Sequence, residues 1–219
     1  MCSSAGSFPN QIRKLLRMGI IMNNNVMFKI SYGLYVLTAK DDGKLNGCII
    51  NTLEQVTTSP NKVTIAVNKN NFTHDMIMKT GEFNVSIISE KANFDLFKHF
   101  GFQSGRDTDK FADFPYEKSE NGLPYVTSGT NGYISAKVID TVDLGTHTMF
   151  IADVLDGDVF AEDSSATYDY YHKHIKEAPA KKTSGWVCKI CGYVYEGDPL
   201  PKDFICPICK HGAADFEKL

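Results

Sequence analysis

Near the C-terminus, Cys188-Lys189-Ile190-Cys191 and Cys206-Pro207-Ile208-Cys209 form two CxxC pairs separated by fourteen residues. No other feature limits so tightly what the chain can fold into. Pairs at this spacing put four sulfurs where two tight turns converge on one tetrahedral ion, the geometry that thiolates give to iron or zinc. Gly192 and Pro207 suit such turns, and main-chain N–H groups within them can point at the sulfurs and stabilise their charge. Of the six cysteines only Cys2 and Cys48 stand apart, so the count fits a metal site rather than a disulfide framework. Cys48 lies in a strand-like run and reads as inert packing. Four thiolates alone leave iron and structural zinc both open.

Upstream, the 219 residues have room for one medium domain beside this small one. Residues 32–39 are rich in β-formers, Asp41-Asp42-Gly43-Lys44 supplies a turn and residues 45–50 resume the apolar run, which together signal a hairpin. Ser59-Pro60-Asn61 breaks the chain before a strand at residues 63–67. Residues 73–80 read as a short helix with Thr73 as its N-cap and Gly81 as its stop. Another strand, residues 83–88, precedes a helix at residues 92–100, in which Phe94, Phe97 and Phe100 recur at helical spacing and face a core. Residues 101–132 are polar and turn-rich, and strands at residues 133–143 and 147–155 close the domain. Many short strands with brief helices argue for a β-barrel over a doubly wound sheet, and there is no GxGxxG fingerprint.

Residues 168–176 read as a last helix; within the segment ATYDYYHKHIKE, residues 166–177, the tyrosines are expected to pack and His172 and His174 to lie in solvent. Residues 177–185 lose all periodicity and have the composition of a linker. The resulting organisation is an N-terminal extension (residues 1–21), a barrel (22–176), the linker (177–185) and a small metal domain (186–219). Residues 1–21 carry Arg13, Lys14 and Arg17 without an acid, and the chain becomes strand-like after Met22, so a misread start is preferred to a basic amphipathic helix at residues 11–18. A net charge of −3 gives no electrostatic reason to expect nucleic acid. No run approaches the 18 or so apolar residues of a membrane span and no signal-peptide pattern is present, so a cytoplasmic protein is expected.

The segment WVCKICGYVYEGDPLPKDFICPICKHGAADFEKL resembles rubredoxin in its WxCxxCGYxY, PxDFxCPxC and terminal Phe. That resemblance implies an Fe(Cys)4 centre on Cys188, Cys191, Cys206 and Cys209, screened from water by Trp186, Tyr193, Tyr195, Phe204 and Phe216. The loop between the pairs is shorter than in free-standing rubredoxins, and Lys210 replaces the glycine common after the last cysteine.

The segment NGCIINTLEQVTTSPNKVTIAVNKNNFTHDMI, from Asn46 to Ile77, with SYGLYVLTAK before it and GTHTMFIADV after, resembles the flavin reductase-like, FMN-binding split-barrel family over about residues 26–160. An isoalloxazine needs polar partners for its edge and an apolar wall, and its phosphate needs N–H and O–H donors near positive charge. The resemblance assigns Asn51, Thr52, Gln55 and Val56 to the ring and Lys69, Asn70, Thr73 and His74 to the ribityl phosphate. His147 matches a family histidine near flavin or nicotinamide and is the catalytic candidate. Taken singly, these residues could equally be turn formers, a helix cap and a structural histidine.

Together the two segments resemble the high-molecular-weight rubredoxins of anaerobes. The resemblance implies a mainly β fold, a split β-barrel carrying FMN plus a rubredoxin-like domain carrying one iron, assembled as a homodimer. It further implies an oxidoreductase in which NAD(P)H, or a rubredoxin reductase, reduces FMN, FMN reduces iron, and iron reduces a flavodiiron protein that consumes oxygen or nitric oxide. The rivals are a flavin reductase that releases reduced FMN, and a ligand-binding barrel with a zinc ribbon for protein contacts.

Overall fold

The computed structural model describes residues 24–177, 184–209 and 211–219. The proposed extension, residues 178–183 of the linker and Lys210 lie outside these. The chain divides into two compact units, Met1–Ser31 and Tyr32–Leu219. In the first, Asn24–Lys29 is a 3-10 helix, not the strand-like segment expected after Met22. An Asn-rich start and the lack of apolar alternation account for the difference.

The second unit is mainly β. Strand β1 (Tyr35–Asp41) and β2 (Lys44–Ile50) form the expected hairpin. Its two turn residues, Asp42 (φ 47°) and Gly43 (φ 80°), are both left-handed, the requirement of a two-residue turn that matches strand twist. A second hairpin, β3 (Glu54–Thr58) and β4 (Asn61–Asn68), turns on the Ser59-Pro60 step that the sequence marked only as a break. Helix α1 (Phe72–Thr80) follows, stopped by Gly81 at φ 72°, then β5 (Glu82–Ile88) and helix α2 (Phe94–Gly101).

The expected N-cap of α1 needs correction: Asn71 caps it, its side chain accepting from the Thr73 N–H, while the Thr73 hydroxyl is buried and accepts from Asn46 Nδ2 at 2.9 Å. An Asn at the last extended position intercepts the free amide before Thr73 can do so.

After a small hairpin, β6 (Glu117–Lys118) and β7 (Pro124–Tyr125), come the long strands β8 (Thr130–Asp143) and β9 (His147–Val159). The main sheet runs β2-β1-β5-β8-β9-β4-β3, with every adjacent pair antiparallel. The first half of β8 pairs with β5 and the first half of β9 with β4, while in the antiparallel β8–β9 ladder, which carries two register shifts, the second half of each strand lies against the first half of the other. Such bulges let long strands bend, so this β8–β9 ribbon serves two half-sheets that curl toward closure.

Adjacent residues of β1 face opposite sides and enter different cores. Leu37 joins Ile65, Phe83, Phe150 and α1's Met76 and Ile77; Val36 joins Ile88, Phe97, Phe100 and Phe111. Burial on both faces explains why β1 reads as a continuous apolar run rather than an alternation. Of the predicted α2 stripe, Phe97 and Phe100 are buried and Phe94 packs at the edge. The last helix is short, α3 (Tyr168–Tyr170), and widens into a π-helical stretch, Tyr171–Ile175, that drives Tyr171 and Ile175 into the second core.

The C-terminal segment adds β10 (Trp186–Cys188), β11 (Val194–Tyr195) and β12 (Phe216–Lys218) in the order β11-β10-β12.

Candidate metal centre and adjoining flavin site

Each cysteine pair sits in a turn closed by its own main chain. The Cys188 N–H donates to Tyr193 O and the Gly192 N–H returns to Cys188 O, both at 2.8 Å. Gly192 has φ 78°, a left-handed conformation that carries the chain back under the sulfurs. In the second turn the Cys206 N–H donates to His211 O at 2.8 Å, beside a bridge between Ile205 and Gly212. The two turns bring one sulfur of each of Cys188, Cys191, Cys206 and Cys209 within 4.8 Å of one another.

Electrostatics support a cation at their centre. Burial pushes the Cys191 thiol up to about 11 and pushes Cys209 up as well. Burial opposes ionisation of Cys206 too, but the N–H groups of Cys209 and Ile208 outweigh it and draw that thiol down. Four thiols this close cannot all ionise unless a positive ion repays the repulsion and lost solvation, and sulfur-only tetrahedral sets suit iron or zinc. The donor set therefore fits the metal implied by the sequence.

Around the sulfurs, Phe204 packs on Tyr195 and Phe216, with ring centroids 4.7 and 5.3 Å apart, and parallels Tyr193 at 6.4 Å. Trp186 Nε1 donates to Asp198, and the Lys218 ammonium reaches the same carboxylate at 2.7 Å, fastening β10 and β12 to the loop between the pairs. Lys218 and Trp186 hold Asp198 below the usual carboxylate range. Cys188 and Cys206 are fully buried, whereas Cys191 and Cys209 are half-buried.

These two half-buried ligands face the barrel. A cavity of about 380 Å³ has Asn68, Asn70, Asn71 and Phe72 on one side and Pro207, Ile208 and Cys209 on another. A second cavity, about 210 Å³, is lined by Tyr168, Tyr171 and Lys176 together with Cys191 and Cys209. Cys209 thus borders both.

The flavin candidates are gathered along β4. Thr52 is bound to Ala66, its hydroxyl donating to the carbonyl at 2.8 Å and accepting from the N–H at 3.1 Å, so the ring segment runs beside β4. Asn68 of β4 pairs with His147 on its other side, and Lys69 to His74 continue into α1. Asn51 is half-buried, while Gln55 and Val56 lie on the outer edge strand β3, exposed.

The phosphate candidates differ among themselves. Asn70 is exposed and borders the larger cavity. Lys69 pairs with Asp143 at 2.7 Å at the surface. Thr73 is buried against Asn46, and His74 is buried with Nε2 2.9 Å from the Thr148 hydroxyl and Nδ1 3.2 Å from Asp75. Both hold the helix rather than reach the cavity. His147 is half-buried, its Nδ1 2.9 Å from the Thr146 hydroxyl.

Sequence reasoning missed Lys110. Its side chain is 3% exposed, it lines the larger cavity, and its ammonium donates to Gly47 O at 2.8 Å and Phe100 O at 2.9 Å. Burial pushes the amine down, which is the cost of a cation with carbonyls for partners. Its one sequence signal is a Lys beside Phe111 in an otherwise polar stretch. Asn71, here both cap and cavity wall, was also passed over.

The Flavin reductase like domain family matches residues 27–179, and the Rubrerythrin, rubredoxin-like domain family matches residues 186–217. The chain is 36% identical, over 90% of its length and all of the relative's, to a high molecular weight rubredoxin of Moorella thermoacetica. It is 34% identical, over 69% of its length and 89% of the relative's, to a ferric-chelate reductase (NAD(P)H) of Archaeoglobus fulgidus. Among solved structures, the Methanosarcina acetivorans flavoredoxin superposes with TM-score 0.58 at 21% identity, covering 67% of this chain and 80% of that one. The flavin reductase PheA2 superposes with TM-score 0.55 at 26% identity, covering 70% and 91%. The barrel, the four-cysteine site beside it and these likenesses lead to one assignment: the chain is an oxidoreductase that belongs to the flavin reductase like family and, through its rubredoxin-like end, to the high molecular weight rubredoxins.

Proposed function

We propose that the protein is a two-centre electron carrier, taking electrons from NAD(P)H or a reductase partner onto FMN and delivering them through Fe(Cys)4 to a flavodiiron-type acceptor. The observation that carries this reading is the pair of cavities whose walls come partly from the barrel and partly from Cys191 and Cys209. FMN, when bound, supplies the exchange between hydride pairs and single electrons, and Fe(Cys)4 takes one electron at a time.

The protein's own part is placement. Asn51, Thr52, Gln55 and Val56 would hold the ring, and Asn70 with Lys69 the phosphate end, with Asn71 organising the turn between them. Thr73 and His74 act from behind, keeping α1 in place through Asn46 and Thr148. His147, opposite Asn68, would flank the nicotinamide. The aromatic cluster around Phe204 keeps water from the sulfurs. We assign residues 22–176 to the flavin domain, 177–185 to the linker and 186–219 to the iron domain.

A homodimer in the cytoplasm completes the reading. Its support is that β3 is exposed along its whole length and that Ile139, Val142, Leu144, Leu155 and Val159 present apolar side chains on the β8–β9 ribbon. An open edge strand beside apolar surface is the kind of face that a second copy covers. Among the described residues no helix is long and apolar enough to cross a membrane.

The test is an absorbance spectrum of the purified protein, as isolated and after anaerobic NADH. Flavin bands together with thiolate-to-iron bands, both bleaching with NADH, are expected. Flavin bands without the iron bands would sink the proposal. The exposure of Gln55, Val56 and Asn70 favours a second reading, a reductase that releases reduced FMN. Flavin that stays bound through gel filtration argues against it.

A further inference from the structure

The smaller cavity is lined by one lysine, Lys176, that joins the two segments. Lys176 follows the π-helical stretch at the end of the flavin-like domain and is half-buried. Its ammonium crosses to the other segment and donates to the Cys191 carbonyl at 2.7 Å. The approach is close to the next residue as well: a Cβ on Gly192 would lie 3.1 Å from the Lys176 nitrogen. Among the described residues no carboxylate lies within ion-pair distance of this ammonium; nearby Lys98 takes Asp95 and Glu177, and Lys173 takes Asp169. Its charge is felt across the cavity, where burial and Lys176 together push the His172 imidazole down.

We infer that Lys176 is a positioning residue for the iron centre: it pins the Cys191 turn to the barrel and places an uncompensated positive charge beside the four thiolates, which favours the reduced ion. This inference rests on the electron-carrier reading above. Ferric iron with four thiolates carries one net negative charge and ferrous iron carries two, and the step adds one electron and no proton. A fixed cation outside the sulfurs therefore stabilises the reduced state more than the oxidised one. A hydrogen bond to the ligand's own carbonyl draws electron density from that turn in the same direction.

The test uses full-length protein loaded with iron, titrated by spectroelectrochemistry. Lys176→Gln keeps a donor for Cys191 but removes the charge; Lys176→Met removes both; Lys176→Arg keeps the charge; Lys173→Met makes the same change in net charge at a residue that pairs with Asp169 and does not line the cavity. Lys176→Gln and Lys176→Met are expected to shift the iron equilibrium toward the oxidised form by about tenfold, equivalent to about 59 mV for one electron. Lys176→Arg should restore it and Lys173→Met should leave it within about twofold. If Lys176→Met fails to retain iron, Lys176→Gln decides. An iron-loaded Lys176→Gln protein with an unshifted equilibrium overturns the inference and leaves the electron-carrier reading standing. Zinc in place of iron in the unaltered protein removes that reading, and this inference with it.

Discussion

The barrel and the four-cysteine segment are stabilised by different means. In the barrel, side chains such as Leu37, Ile65, Phe83 and Phe150, each 0% exposed, fill the space between two half-sheets, and the core needs nothing else. Among the described residues of the C-terminal segment the buried hydrophobic side chains are Cys188, Cys206 and Phe216, so two of the three belong to the four-cysteine cluster. A unit of roughly 35 residues cannot bury enough apolar surface to offset its chain entropy without a staple. A metal ion held by the four cysteines would therefore be the centre of the small core. The barrel is therefore expected to keep its fold when cofactor is lost, and the C-terminal segment is expected to lose its own with the metal.

The sharpest way to break that contrast is to remove a ligand. Cys206→Ser is expected to lower bound metal from about one ion per chain to near zero, because metal binding by such small domains supplies about 10–16 kcal/mol that folding alone does not. Metal analysis and Trp186 fluorescence read the outcome. Trp186 is the chain's single tryptophan and lies in β10, so its emission reports this segment. Far-UV dichroism, dominated by the barrel, should be nearly unchanged. A barrel that unfolds with the metal site would show that the two cores are one.

The converse is Phe150→Ala, which empties the middle of the barrel. A fully buried Phe reduced to Ala costs about 3–5 kcal/mol. Denaturant titration followed by dichroism should show the unfolding free energy falling by that amount, while the visible bands of the loaded metal site persist until the barrel melts. Equal loss by both probes would mean that the barrel supports the metal fold as well as adjoining it.

How much of each region could be read in advance follows from the same contrast. The four-cysteine cluster was legible because its spacing is local: the four cysteines, Gly192 and the aromatic frame all lie within one short segment. The β1–β2 hairpin was legible because Asp42-Gly43 is a local demand of backbone conformation. Strand β3 was not recognised as a strand, since it is exposed on both faces and carries no alternation to detect. Thr73 and His74 carry the right chemistry for a phosphate, yet Asn46 of β2 and Thr148 of β9 occupy them, partners 27 and 74 residues away in sequence. Lys110 was invisible for a like reason, because its carbonyl partners lie on β2 and α2. Lys176 ends the segment read as the last helix, and only the packing of the two segments turns it toward Cys191.

The smallest effect expected lies at the rim of the larger cavity, where α1 is tied to the loop beyond α2. Arg106 donates to Asp75 at 2.6 Å and its guanidinium lies 4.9 Å from the Phe72 ring. The Arg106 hydrogen bond, with help from His74, holds Asp75 below its ordinary value of 3.8. Because the folded-state value is the lower one, this contact contributes stability above the unfolded value and loses it as pH falls through the folded one. Asp75 is 47% and Arg106 49% exposed, so water screens the pair and its worth is a few tenths of a kcal/mol. Arg106→Ala should therefore lower the barrel's urea midpoint slightly at pH 7 and not at all once the pH is well below the folded-state value of Asp75, and carbon-detected titration should show the Asp75 carboxyl moving back up. Trp186 emission should not respond at either pH, because the pair belongs to the barrel's side of the cavity. A Trp186 response would mean that the rim transmits strain into the metal segment, and the independence of the two cores would fail at that contact first.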